Sequence, residues 1–261
     1  MKKIIKYLFL LTGGSFILAS CNDFLDREPL DSVTPDNFFF TENDLAAYAV
    51  KHYNFTTHEG FNAGIWRNDN ATDNQAATDY DKKWIPGQWK VPEAYDNPAS
   101  NDPWYFSAIR EANYFLETVV PRFEKGEIEG SETNIKHYIG EMYFLRAKNY
   151  LSKLETFGDF PIIKNTLPDE SVSLIQASKR EPRHKVARFI LEDLDLAIGL
   201  LTNTISGGKN RITKNAALLL KSRAALYEAS WLTYHKGTAL VPGGPGWPGK
   251  AEDIADFNID T

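Results

Sequence analysis

The chain is poor in the residues that most often announce a function. It has one cysteine, two methionines and five histidines in 261 residues. A single cysteine, Cys21, rules out a disulfide within the chain, so stability comes from packing. The histidines (His52, His58, His137, His184 and His235) show no metal-ligand spacing. There is no His-Glu-x-x-His, no Gly-x-Ser-x-Gly and no Walker loop. The Gly-rich run at 242–249 lacks the lysine–hydroxyl pair that would hold phosphates, so it reads as a turn and no cofactor is expected. Asp69 and Asp73 have the beginnings of a calcium loop. Ala71 stands where a third oxygen ligand belongs and no turn glycine follows, so no metal is assigned there. Positive charge is also scarce. The net charge is −6, which argues against a nucleic-acid partner.

Long apolar runs are missing too. Ile4–Ala19 is short for a bilayer span of about 20 residues and contains two glycines. Lys2, Lys3 and Lys6 precede it, and Leu18-Ala19-Ser20-Cys21 follows. A basic start, an apolar stretch and small residues at the cut describe a secretory signal peptide over 1–20. The last four residues resemble a bacterial lipobox, which makes Cys21 the lipidated first residue of the mature chain. Cleavage removes three lysines and no acid, taking the net charge to −9.

Aromatic residues, by contrast, are plentiful: six Trp, twelve Tyr and sixteen Phe. Residues 21–40 read as a lipidated tether and lead-in, and 41–261 as the body. Thr41 with Asp44 predicts a capping box ahead of Leu45, Tyr48, Ala49 and His52. Residues 54–101 carry no period of 2 or 3.6, and a stretch this long in a compact protein is usually functional. From 102 to 235 the chain reads as helices. Asp102-Pro103 should start one, with Tyr105, Ile109, Ala112 and Leu116 inward, and Pro121 with Gly126-Glu127-Ile128-Glu129-Gly130 should break it. Ser131 should cap the next, with Ile135, Ile139, Tyr143, Ala147, Tyr150 and Leu154 inward. Gly158 should end it, ahead of an extended Phe160–Ile163. A third starts near Pro182, with Val186, Ile190, Leu194, Ile198 and Leu201 inward, and a turn at Gly207-Gly208 follows. A fourth opens at Thr213, with Ala216, Leu220, Ala224, Tyr227 and Trp231 inward. Glu192, Asp193 and Asp195 are expected on a solvated face. Paired amphipathic helices with alanine at close approaches predict an all-α fold of tetratricopeptide-like hairpins carrying one long irregular, aromatic-rich insertion.

That insertion holds the candidate ligand residues Trp66, Asn68, Asp69, Trp84, Trp89 and Tyr95, with Arg67 beside them. A sugar ring has an apolar C–H face that a Trp or Tyr plane covers, and a hydroxyl rim that amides and acids meet. Covering about 60 Å² of one ring contributes roughly 1.5 kcal/mol. The same rings would equally anchor a long loop to the body.

The helical half has more specific content. Trp104 through Glu117, with its Ile109-Arg110 and Asn113-Tyr114-Phe115-Leu116, resembles a helix of the SusD/RagB family. Gly140-Glu141-Met142-Tyr143-Phe144-Leu145-Arg146-Ala147, running on to Phe157-Gly158-Asp159-Phe160-Pro161, is similar to that family's most recognisable segment. Arg211–Ala217 and Lys221–Tyr227 resemble its later helix, and Cys21–Asp26 with Pro35 and Asn37-Phe38-Phe39 its mature N-terminus. The resemblance implies a SusD-like all-α fold and a surface-exposed outer-membrane lipoprotein, held by the lipid on Cys21 and facing the cell exterior. It implies capture of nutrients, above all oligosaccharides, and delivery to a SusC-like TonB-dependent transporter. Arg146, Gly158 and Asp159 match the family motif as structural residues and are assigned no ligand role. Family members continue well past residue 261, so the chain is expected to be incomplete at its C-terminus. Three other readings stay open: capture of peptide, a helical scaffold with protein partners only, and a glycosidase. For the last, two acids about 5 to 9 Å apart would be needed, and no motif selects them.

Overall fold

Seven helices account for the regular structure of this computed structural model, which describes residues 38–55, 85, 104–204, 210–255 and 257. They are α1 (Glu42–Lys51), α2 (Ser107–Lys125), α3 (Glu132–Phe157), α4 (Ser171–Ala177), α5 (Arg183–Leu200), α6 (Lys214–His235) and α7 (Ala251–Ala255). Among the described residues the β-structure amounts to two isolated bridges, Thr41 with Glu129 and Phe160 with Glu181. The all-α class expected from the sequence is what the described residues show. None of the described helices is long and apolar enough to cross a membrane.

Helix α3 is the hub. It packs against α1, α2, α5 and α6, and α5 packs in turn on α6. Its expected inward stripe is buried except for the half-buried Tyr143. It buries far more than a stripe, because Tyr138, Met142, Phe144, Leu145 and Leu151 are covered as well. A helix surrounded on several sides loses its simple amphipathic pattern. Gly140 lies where a Cβ would stand 3.0 Å from Leu200 and Leu201, so the glycine is what lets α5 end against α3.

The expected starts and stops hold in part. The Thr41 capping box is present, with Asp44 N–H donating to the threonine hydroxyl and Asp44 accepting from the Thr41 backbone. Thr213 caps α6 through Ala216 N–H. Just before α1, buried Phe39 adopts φ 70° and packs on Tyr48 and Phe115 at 5.0 and 5.3 Å. Burial of that ring offsets a conformation rare for a bulky residue.

Four expectations are corrected. Helix α2 begins at Ser107, not at Asp102-Pro103, and Tyr105 lies outside it, exposed. Successive helical residues turn by about 100°, so a helix through 104–106 would send Trp104 and Phe106 to opposite sides. Instead both rings reach Phe160, at 4.9 and 5.0 Å, which requires irregular backbone there. Of the expected breaks Pro121 does not end α2, whereas Gly126 does, in a left-handed conformation. Pro121 and Glu117, whose carbonyl the proline leaves unpaired, are both exposed, so solvent satisfies that group. Ser131 occupies the N-cap position of α3 but makes no side-chain capping bond. Glu42 of α1 does so instead, its Oε2 accepting from Ser131 N–H at 2.7 Å and from Asn134 at 3.2 Å. Asp193 is not solvated: it is 2% exposed.

Candidate functional site

Asp193 marks the start of a buried polar scaffold. Arg146 donates to its carboxylate with two parallel bonds, Nε to Oδ2 at 2.7 Å and Nη2 to Oδ1 at 2.8 Å. Planar, bidentate pairing of this kind is the strong form of the interaction. Arg146 Nη1 reaches Asn113 Oδ1 at 2.9 Å and the Lys164 carbonyl at 3.3 Å. Asn113, fully buried, uses its amide nitrogen on the carbonyls of Ile163 (2.8 Å) and Asn165 (3.3 Å). The Tyr150 hydroxyl donates to the Ile163 carbonyl and accepts from its N–H. Residues 163–166 are thus pinned to α2 and α3 by side chains, and Glu117 takes Thr166 N–H at 2.8 Å. Burial pushes the Asp193 carboxyl and the Tyr150 phenol upward, the latter to about 12.

The pinned segment forms one wall of a cleft of about 280 Å³. The facing wall is the start of α2 with Trp104, Phe106, Ile109 and Arg110, and Leu174 and Ser178 of the α4 region close one end. Behind it Phe157, Phe160 and Phe106 stack with interplanar angles of 16° and 20°, and Trp104 meets Phe157 edge-on at 4.9 Å. The Arg180 guanidinium lies 4.9 Å over the Trp104 ring. The lining is mainly apolar and, among the described residues, includes no carboxylate. Arg110 is exposed, and neither its side chain nor that of Asn165 has a hydrogen bond or ion pair among the described residues.

Arg146, Gly158 and Asp159 occupy structural posts. Gly158 ends α3 at φ 72°, and Asp159 accepts Arg183 N–H at 2.8 Å at the first turn of α5. A second buried cluster joins His137, Glu141 and Arg211. The His137 ring meets Glu141 at 3.2 Å, and Arg211 pairs with Glu141 at 3.0 and 2.7 Å. His137 Nδ1 accepts Thr202 N–H at 3.2 Å, so the imidazole is engaged at both nitrogens. No group of three or more His, Cys, Asp or Glu suited to a metal occurs among the described residues. The sequence-based candidates Trp66, Asn68, Asp69, Trp84, Trp89 and Tyr95, and the lipidation residue Cys21, lie outside the described residues, as do Asp73 and the Gly207-Gly208 turn. The cleft was missed because its two walls lie some 50 residues apart and share no motif.

Comparison with known proteins places this scaffold. Residues 23–226 match the family model SusD-like_3, described as starch-binding and associating with the outer membrane. The chain belongs to the SusD-like family. SusD-like protein P2 of Formosa agariphila is 26% identical over 219 residues, covering 82% of this chain and 40% of that protein. SusD-like protein P38 of the same organism is 26% identical over 231 residues, covering 85% and 42%. A SusD-like protein of Bacteroides fragilis superposes with a TM-score of 0.57 at 26% identity, over 78% of this chain and 38% of that one. A second B. fragilis protein, SusD-like and carbohydrate binding, gives a TM-score of 0.51 at 18% identity over 76% and 40%, a likeness of fold. The chain therefore spans about two-fifths of the length of the relatives it matches.

Proposed function

We propose that the full-length protein captures oligosaccharides at the cell surface and passes them to a SusC-like TonB-dependent transporter in the outer membrane, without catalysis. The observation that carries this reading is the family match over 23–226, to a model described as starch-binding and associating with the outer membrane. The chemistry of the chain supports it. Lipid on Cys21 would hold the body at the membrane, since two or more acyl chains give stable anchoring. Trp66, Trp84, Trp89 and Tyr95 would stack on sugar rings, with Asn68 and Asp69 on the hydroxyl rim. The mature net charge of −9 is no obstacle to a neutral ligand.

The test is calorimetric titration of the full-length gene product against a panel of soluble oligosaccharides and peptides. Saturable sugar binding that weakens several-fold on Trp66→Ala or Trp84→Ala is expected. Binding of peptides alone would defeat the carbohydrate part. Purification from membranes should recover a TonB-dependent barrel, and incubation with polysaccharide should release no reducing ends. A scaffold reading with protein partners only finds some support in the apolar row on the outer face of α6, where Leu219, Leu226 and Tyr234 are 73%, 69% and 85% exposed. Recovery of the barrel together with measurable sugar binding would count against it.

A further inference from the structure

The cleft between α2 and residues 161–178 is lined by residues other than Trp66, Asn68, Asp69, Trp84, Trp89 and Tyr95, on which the sugar-binding reading rests, and its chemistry is distinctive. Its body is apolar, with Trp104, Phe106 and Leu174 presenting ring and methyl surface. Its volume, about 280 Å³, is at the small end of ligand pockets, which run from roughly 300 Å³ upward. That suits one or two rings and not an extended chain. Asn113 lines it but has no capacity left, because its oxygen takes Arg146 and its nitrogen serves two carbonyls. Among the described lining residues, the side chains of Arg110 and Asn165 are uncommitted. Among the described residues the lining holds no acid, and Arg180 over Trp104 brings a second guanidinium near Arg110's end of the cleft.

An apolar ring-sized body with a cation at its edge is complementary to a ring that bears a carboxylate. We infer that this cleft binds a uronic acid residue of an oligosaccharide: Trp104 and Leu174 cover the C–H face of the pyranose, Arg110 takes the carboxylate, and Asn165 takes a ring hydroxyl. A guanidinium suits this task because its planar fork matches a carboxylate and stays charged at all working pH values. Leu174 is carried by α4, none of whose residues is buried, so this wall can adjust to a ligand at little cost in packing. The inference rests on the oligosaccharide-capture reading and narrows its substrate class to acidic glycans.

The test uses the full-length gene product and matched pairs of ligands: oligogalacturonate, oligomannuronate and glucuronoxylan fragments, each against its neutral counterpart. At least one uronate should bind ten times or more tighter than its neutral partner, and the gap should narrow with added salt. Arg110→Gln should erase the preference. Arg110 is exposed, so this variant keeps the fold, which its circular dichroism spectrum checks. Leu174→Trp, which fills the cleft, should abolish uronate binding. Equal binding of acidic and neutral partners across the panel, or a preference that survives both variants, would overturn the inference. Neutral binding that depends on Trp66 or Trp84 while the uronate preference is absent would leave oligosaccharide capture standing and remove only this site. No binding of any soluble carbohydrate would remove both.

Discussion

Two of the buried guanidinium–carboxylate pairs among the described residues, Arg146–Asp193 and Arg183–Glu228, differ in how fully they are used. Arg146 and Asp193 are 6% and 2% exposed, bidentate, and backed by Asn113 and a loop carbonyl. Arg183 and Glu228, 6% and 7% exposed, share one hydrogen bond of 2.8 Å, and Arg183 adds a long one to the Leu154 carbonyl at 3.4 Å. Arg183 Nη2, Glu228 Oε1, both nitrogens of His184 and Trp231 Nε1 are buried without a hydrogen-bond partner among the described residues. The Arg183 guanidinium lies 4.0 Å over the Trp231 ring, and His184 meets Phe257 at 5.1 Å. The first pair joins α3 to α5 and fixes the wall of the cleft. The second joins α5 to α6, whose outer face is open. The difference teaches that a buried charge pair stabilises in proportion to how completely its remaining atoms are satisfied.

The largest effect should come from halving the first pair. Asp193→Ala leaves Arg146 buried and unpaired, at a cost of about 3–5 kcal/mol. Urea unfolding measures it, and Arg146→Met combined with Asp193→Leu should recover most of the loss. Asn113→Ala comes next, at about 1–3 kcal/mol, because it strands the Asn165 carbonyl and one Arg146 N–H and leaves the Ile163 carbonyl to Tyr150 alone. Faster amide exchange over 163–165 should accompany it, since those residues lose the Asn113 anchor to α2 while Glu117 still holds Thr166. Glu228→Gln should cost only about 1 kcal/mol, because one carboxylate oxygen already lacks a partner. A larger loss for Glu228→Gln than for Asp193→Asn would reverse the ranking of the two pairs.

The smallest effect is a pH dependence. Burial, helped by Arg188 and Lys185, holds the His184 imidazole below its ordinary value. The unfolded chain then binds a proton that the folded chain resists, so stability falls as pH drops below about 6.5 and levels off beneath the folded-state value. Glu228 has the opposite sign. Burial raises its carboxyl, so the folded chain keeps that proton to higher pH and its contribution declines as pH rises. His184→Gln should flatten part of the acid limb in thermal melts between pH 7 and 5, while the Arg146–Asp193 contrast persists.

The unequal pairs also show where sequence reasoning reaches. The stripes of α3 and α5 were legible, since Ile135 to Leu154 and Val186 to Leu194 recur at helical spacing and lie inward. The caps at Thr41 and Thr213 were legible because their bonds span three residues. Asp193 was misread because Glu192 and Asp195, its exposed neighbours, set the local impression, whereas its partner is 47 residues away. A signal existed: Asp193 lies three residues after Ile190 and seven after Val186, on the margin of the arc that points inward. Glu42 capping α3 across 89 residues had no such signal. Nor did the cleft, which depends on where two distant segments meet. Rings at 104 and 106 looked helical until Phe160 claimed both.

Titration of the full-length protein with soluble oligosaccharides, before and after Trp66→Ala and Trp84→Ala, tests the central claim most directly. The account predicts saturable heat, weakened several-fold by each change, with the oligosaccharide recovered intact. Heat absent for every carbohydrate, or binding unchanged by both substitutions and accompanied by cleavage, would contradict it.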